Sequence, residues 1–247
     1  GLVFFVVSGV AKPEIYTRSL LEDLPVSLTL DLPEARITAA EDGRVAIAPL
    51  GRTRSRWMVQ EAMVMTGQAV ARWAAERGVP IPFSVQEGSA AAAELAGANA
   101  GLSQLWAARR TLRRSSRTLS PGKHAGLGVE PYCQVTSPLR RYVDLLGHHQ
   151  IRAALAGREP LPPEETFRRV GEVEAVIPAL RQAEIMSERH WTLVYLLQNP
   201  GWSGEAVVVD QRARNLTVVV PSLALEAEVH TRRPVEQIGR ASCRERV

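Results

Sequence analysis

Cysteine is nearly absent: only Cys133 and Cys243 occur in 247 residues. Two thiols so far apart supply neither a disulfide framework nor a metal knuckle. The default expectation is therefore a reducing, cytoplasmic setting. A long apolar run is missing too. The opening Leu2-Val3-Phe4-Phe5-Val6-Val7 gives way to Lys12, Glu14 and Arg18, too short a stretch to span a bilayer. It also lacks the basic start and the initiator Met of a signal peptide. A buried strand is the simpler reading, and no membrane partner is expected. Because residue 1 is Gly, the natural start is expected further upstream. No internal repeat is visible.

What is there suits a folded chain. Hydrophobic residues make up 45% and charged residues 23%, enough to bury a core in one large or two small domains. The net charge of +4 fits an acidic partner such as nucleic acid, and equally an ordinary surface with spare arginines.

Periodicity divides the chain. From Pro25 to Ala48, Val26, Leu28, Leu30 and Leu32 alternate with polar residues, as in a strand. Asp42-Gly43 marks a turn before Val45-Ala46-Ile47. Val59, Met63, Val70 and Trp73 predict a helix from about Ser55, stopped by Gly78 and Pro80. Gly88 to Gly101 reads as a weak helix or loop. Arg110, Arg113, Arg114 and Arg117 then fall at the spacing of one helix face, either solvated or following a phosphate chain. Pro121 to Pro131 is a glycine-rich loop. Two helices are expected after it, at about Pro138–Ala156 and Pro163–Leu197, the second kinked or broken near Pro178. Residues 206–209, 216–220 and 227–230 read as short strands, with a boundary near Pro200.

The segment Tyr132-Cys133-Gln134-Val135-Thr136-Ser137-Pro138-Leu139-Arg140-Arg141-Tyr142-Val143-Asp144 carries the chemistry. Ser137 suits an N-cap and Pro138 the first helical position, which would put Arg140 and Arg141 on the opening turn. Cations oppose the helix dipole there, so an anion such as phosphate would complete the arrangement. Asp144 lies where it can brace one arginine, and a local surface ion pair is the plainer alternative. His148 and His149 have no carboxylate-rich partners of the kind a zinc site needs. They are read as packed or solvent-facing. The five tryptophans are read mainly as core.

Thr136-Ser137-Pro138-Leu139-Arg140-Arg141-Tyr142, with Asp144-Leu145, resembles the signature of the RNB exoribonuclease family, ribonuclease II/R-like and bacterial or cyanobacterial in type. The resemblance extends over Leu119–Gly128, His148, Gln150-Ile151 and, earlier, Glu61–Met65 and Pro80–Phe83. It implies hydrolysis of single-stranded RNA from the 3′ end to nucleoside 5′-monophosphates, with Mg²⁺ as cofactor. Arg140 matches the catalytic arginine. Thr136, Ser137 and Arg141 would belong to the RNA-binding wall, with Asp144 as structural support. Tyr132 would stack on a base or pack; Lys123 and His124 would reach phosphate. Glu61 matches an acid at the 3′-terminal nucleotide, with a capping or surface role as the alternative.

The implied fold is α+β: residues 1–199 as part of an RNB catalytic domain with helices around a β layer, and 200–236 as an incomplete OB-fold-like RNA-binding domain. Residues 237–247 resemble a translated adapter, so the natural sequence is expected to diverge there. The family's aspartate cluster has no counterpart: Asp23, Asp31 and Asp42 stand singly, and Ser84 replaces an expected arginine. The Mg²⁺ ligands are therefore expected upstream. A metal-free RNA-binding relative without nuclease activity is the alternative.

Overall fold

The computed structural model describes residues 30–51, 53–97, 99–231 and 240–243. The apolar opening, the first part of the Pro25–Ala48 strand and Asp23 lie outside the described residues. The chain is α+β and divides into two compact units, one formed by residues 1–28, 53–89 and 112–176 and the other by 29–52, 90–111 and 177–247.

In the first unit, helix α1 (Arg54–Glu76) starts where Thr53 accepts a hydrogen bond from the Arg56 N–H at 3.3 Å, as a threonine N-cap should. It ends at Gly78, whose φ of +62° favours glycine. Its face of Val70, Ala71, Trp73 and Ala74 packs with Val79, Ile81, Phe83, Cys133, Val135 and Ile151. Trp57 departs from the core reading, being 53% exposed. Strand β3 (Phe83–Val85) pairs antiparallel with β4 (Ser116–Thr118). Helix α4 (Tyr142–Leu155) buries Gln150, whose amide donates to the carbonyls of Pro80 and Leu161, both at 2.9 Å, and accepts from the Leu161 N–H. That residue satisfies several backbone groups that would otherwise be buried unpaired.

In the second unit, strands β1 (Ala35–Ala39) and β2 (Val45–Pro49) form a hairpin around Gly43. The strand begins at Ala35 in this hairpin, later than expected, and the Leu50 N–H donates to the Glu34 carbonyl at 2.8 Å just before it. Helices α2 (Ala90–Leu95) and α3 (Leu102–Thr111) precede the antiparallel strands β5 (Gly204–Arg212), β6 (Asn215–Val220) and β7 (Leu225–His230). Arg240–Cys243 form β8 against the other edge of β5; the rest of the adapter-like segment lies outside the described residues. Ala206, Val208, Leu216 and Val218 make one apolar cluster of the sheet, and Trp106 of α3 packs with Val209 and Val219 in a second. The Trp106 indole N–H donates to Glu226 at 2.9 Å.

Helix α5 (Pro163–Gln198) runs through Pro178 as one element, so of the expected kink or break the break does not occur. One expectation about helices fails. The arginine face does not exist as one face, because α3 ends at Thr111 and Arg117 lies in β4. The Thr111 hydroxyl donates back to the Ala108 carbonyl at 2.9 Å, a local bond that competes with continued helix.

Gly67 shows how tightly α1 is seated. A Cβ there would lie 2.4 Å from the Tyr132 ring and 2.5 Å from the Cys133 carbonyl oxygen. Gly67→Ala should therefore destabilise the protein by about 1–3 kcal/mol, despite alanine's helix preference of about 1 kcal/mol. Urea unfolding checks this, and an unchanged or raised midpoint would contradict the close approach.

Candidate functional site

Three segments of the first unit are laid side by side by backbone hydrogen bonds. The Ser84 N–H donates to the Tyr132 carbonyl at 2.8 Å, and the Gln86 N–H to the Lys123 carbonyl at 2.9 Å. The Ala125 N–H returns a bond to the Gln86 carbonyl at 3.1 Å. Within the expected loop, Ala125–Leu127 form one turn of 3₁₀ helix. The approach needs glycine: a Cβ on Gly126 would sit 2.5 Å from Gln86 Oε1.

The signature segment follows from this wall, and its geometry corrects the expected helix start. The Ser137 carbonyl accepts from the N–H groups of Arg140 and Arg141, at 3.2 and 3.0 Å, closing a turn over Pro138 and Leu139. Helix α4 begins only at Tyr142, with Arg141 at the cap position and no side-chain cap bond. Arg140 and Arg141 are thus not on its opening turn. Asp144 holds this turn from inside. Its carboxylate is fully buried in the first turn of α4, where the helix dipole favours a negative charge. Oδ2 accepts from the Ser137 N–H at 2.8 Å and pairs with Arg141 Nη2 at 3.0 Å. Asp144 thus ties the Ser137 backbone to Arg141 across the turn. Asp144 Oδ1 and Arg141 Nε are buried with no hydrogen-bond partner among the described residues.

Thr136 joins this set weakly, its hydroxyl oxygen accepting from Arg141 at 3.4 Å. Tyr132 is 9% exposed and packs against Gly67, so it is a packing residue here, not an open base platform. Burial pushes its phenol pKa upward, Cys133 and Asp144 adding to the rise and Arg141 opposing it. Its ring meets His124 edge-on, with centroids 5.4 Å apart. Burial holds His124 below the usual histidine value; its own backbone opposes this and the Arg117 charge reinforces it. Arg117 is itself held by Gln134 at 2.8 Å and Glu174 at 3.4 Å. His148 is the packed histidine, bonded to the Val135 carbonyl at 2.6 Å. The Cys133 thiol is buried, its pKa pushed up by burial first and by Asp144 second, so it is inert.

The structure therefore joins Thr136, Ser137, Arg141 and Asp144 in one bonded set, and Tyr132 with His124 in a ring pair just before it in the chain. Arg140 is exposed, beside the fully exposed Leu139, and its guanidinium makes no hydrogen bond or ion pair among the described residues. Lys123 is exposed and Glu61 half-buried, and the side chain of each is also without such a partner there. Sequence reasoning missed Gln86 and Gly67. A glycine inside a helical pattern was the available signal for the second; nothing marked the first. A metal centre is not supplied: among the described residues no three His, Cys, Asp or Glu side chains group to hold an ion. No helix among them is long and apolar enough to cross a membrane.

Residues 26–157 match the RNB domain model. An uncharacterized ribonuclease of the cyanobacterium Synechocystis is 35% identical over 186 residues, covering 72% of this chain and 28% of that protein. The Dss1 exoribonuclease of Candida glabrata superposes with a TM-score of 0.72 at 20% identity, covering 85% of this chain and 29% of Dss1. Yeast Ssd1, a pseudonuclease, superposes at 0.54 and 16% identity, covering 73% of this chain and 27% of Ssd1. The chain thus spans under a third of the length of these proteins.

Asp144→Ala should cost about 3 kcal/mol, because it strands Arg141 and the Ser137 N–H. Urea unfolding together with exchange of the Ser137 amide would show it; unchanged stability and protection would remove Asp144 as the anchor. His124 gives a pH signature. Its folded pKa lies below 6.5, so between that value and 6.5 the unfolded chain binds more protons. Stability then rises with pH across this window and is lost as pH falls through it. NMR titration should place the His124 midpoint below 6.5, and His124→Gln should flatten the slope. A midpoint at or above 6.5 would contradict the neutral, packed imidazole.

Proposed function

This chain belongs to the RNB-domain family, and from that premise we propose that its parent protein hydrolyses single-stranded RNA from the 3′ end, releasing nucleoside 5′-monophosphates. The observation that carries this reading is Arg140: an exposed guanidinium without a partner among the described residues, on a turn pinned by a buried carboxylate. A planar fork held in this way is suited to two oxygens of a phosphodiester, and to neutralising charge that grows on them in the transition state. Arg141 spends its charge inward on Asp144, so it shapes the turn. Thr136 and Ser137 are half-buried beside it and offer hydroxyls to the RNA backbone. Glu61 is assigned to the 3′-terminal nucleotide, and Lys123 to phosphate. His124 serves by packing, because its neutral ring brings no charge.

Nucleases of this family are generally dependent on a divalent metal. The residues described here do not fit a Mg²⁺ site, so its ligands are placed upstream of this stretch and no step is assigned through the ion. Strands β5 to β7 are read as the opening of an OB-fold-like RNA-binding element, and the setting as cytoplasmic. The second reading is an RNA-binding relative without nuclease activity; the absence of an acidic cluster among the described residues and the likeness to Ssd1 favour it.

In the full-length protein, Arg140→Ala should lower kcat roughly 100- to 1,000-fold and leave KM within a few-fold. Steady-state release of monophosphates from an oligoribonucleotide measures both, and unchanged kcat would end the role given to Arg140. The 247-residue chain alone should bind RNA in a salt-sensitive manner and release no monophosphate with Mg²⁺. Salt-sensitive binding by a full-length protein that cleaves nothing would select the second reading.

A further inference from the structure

A second cationic feature lies in the first unit, apart from the turn that carries Arg140. The end of β3, the segment entering β4 and the glycine loop enclose a cavity of about 510 Å³, lined by Gln86, Glu87, Arg113, Arg114, Ser116 and Lys123 among others. Its walls are fixed by one side chain. The Gln86 amide donates to the Arg113 carbonyl at 2.6 Å and accepts from the Gly126 N–H at 2.9 Å. The Gln86 N–H holds the Lys123 carbonyl at the same time. A Cβ on Gly122 would come within 2.9 Å of Val85 Cγ1, so the loop closes on the strand more tightly than a larger residue allows.

Three cations face this space against one acid. Glu87 pairs with Arg113 at 3.4 Å, both side chains being largely exposed, so the pair is weak and easily rearranged. The side chains of Arg114 and Lys123 make no hydrogen bond or ion pair among the described residues. Two uncompensated cations beside a serine hydroxyl, in a concavity with a fixed backbone, suit a tetrahedral dianion or a phosphodiester. An acidic peptide would meet repulsion from Glu87 without gaining the geometric match of phosphate oxygens to guanidinium.

We propose that this cavity is a second phosphate-binding site, which takes a backbone phosphodiester of single-stranded RNA other than the one gripped by Arg140. This rests on the reading of the protein as an RNA-handling one. Arg114 and Lys123 provide the charge, Gln86 provides the shape, and Glu87 tempers affinity by holding Arg113 back. The site shares no residue with the Thr136–Arg141 turn.

The test uses the 247-residue chain and a fluorescein-labelled oligouridylate in anisotropy titrations over a range of salt. The double variant Arg114→Ala/Lys123→Ala should weaken binding roughly five- to tenfold and lower the salt slope by about 1.4, the share of two contacts to a single strand. Glu87→Gln should tighten binding about twofold, a gain that misfolding cannot produce. Wild-type affinity in the double variant, or no gain with Glu87→Gln, overturns the proposal; if the unaltered chain still binds the oligonucleotide in a salt-sensitive manner, the wider RNA reading survives that failure. If the unaltered chain binds no RNA, both fail together. Inorganic phosphate, titrated at constant ionic strength, should not displace the oligonucleotide. Displacement that depends on Arg114 and Lys123 would show a free-phosphate site and overturn the assignment to RNA.

Discussion

The candidate site depends on one buried carboxylate. Asp144 has no exposure, and a charge so placed is costly unless it is paired and hydrogen-bonded. One of its oxygens serves the Ser137 N–H and Arg141 together. This arrangement fixes both ends of the turn over Pro138 and Leu139, because Ser137 and Arg141 are also joined backbone to backbone at 3.0 Å. The turn cannot relax without exposing or stranding the carboxylate. Its tip, Leu139 and Arg140, is thereby held outward at no further cost in side-chain contacts.

The same segment is held from behind by close packing. Tyr132 lies against the bare backbone of Gly67, and its neighbour Cys133 donates from Sγ to the Gly67 carbonyl at 3.3 Å. His124 closes the other edge of the Tyr132 ring. Polar groups are few and specific here, and several are buried with no partner among the described residues: Ser84 Oγ, His124 Nδ1 and Arg117 Nε. Such groups weaken the fold wherever they occur. Stability therefore comes mainly from the apolar face of α1 and from Gln150, and the polar wall contributes shape.

Much of this was legible in the sequence where local signals decide. The start of α1 at Thr53, the Asp42-Gly43 hairpin, the end of α4 before Gly157 and the three strands after Gly204 all follow from caps, turns and periodicity. Two local signals misled. Ser137-Pro138 looks like a helix start, but the Ser137 carbonyl closes a turn onto the Arg140 and Arg141 N–H groups and the helix begins only at Tyr142. The arginines after Arg110 keep helical spacing, yet spacing describes a face only while the helix lasts. Gln86 was invisible because its bonds run to backbone atoms 27 to 40 residues distant.

Net charge conceals how the cations are used. Between residues 105 and 141 the chain carries eight of them. Arg109, Arg110, Arg113, Arg117 and Arg141 each face a carboxylate, of Glu226, Asp210, Glu87, Glu174 and Asp144 in turn. Arg114, Lys123 and Arg140 face none among the described residues. The exposed pairs are worth little individually, but each removes one positive centre from those open to a ligand. An overall balance of +4 is thus a poor guide to binding. What matters is which cations the acids leave over: Arg140 on a hydrogen-bonded turn, and Arg114 and Lys123 in irregular backbone beside Gln86.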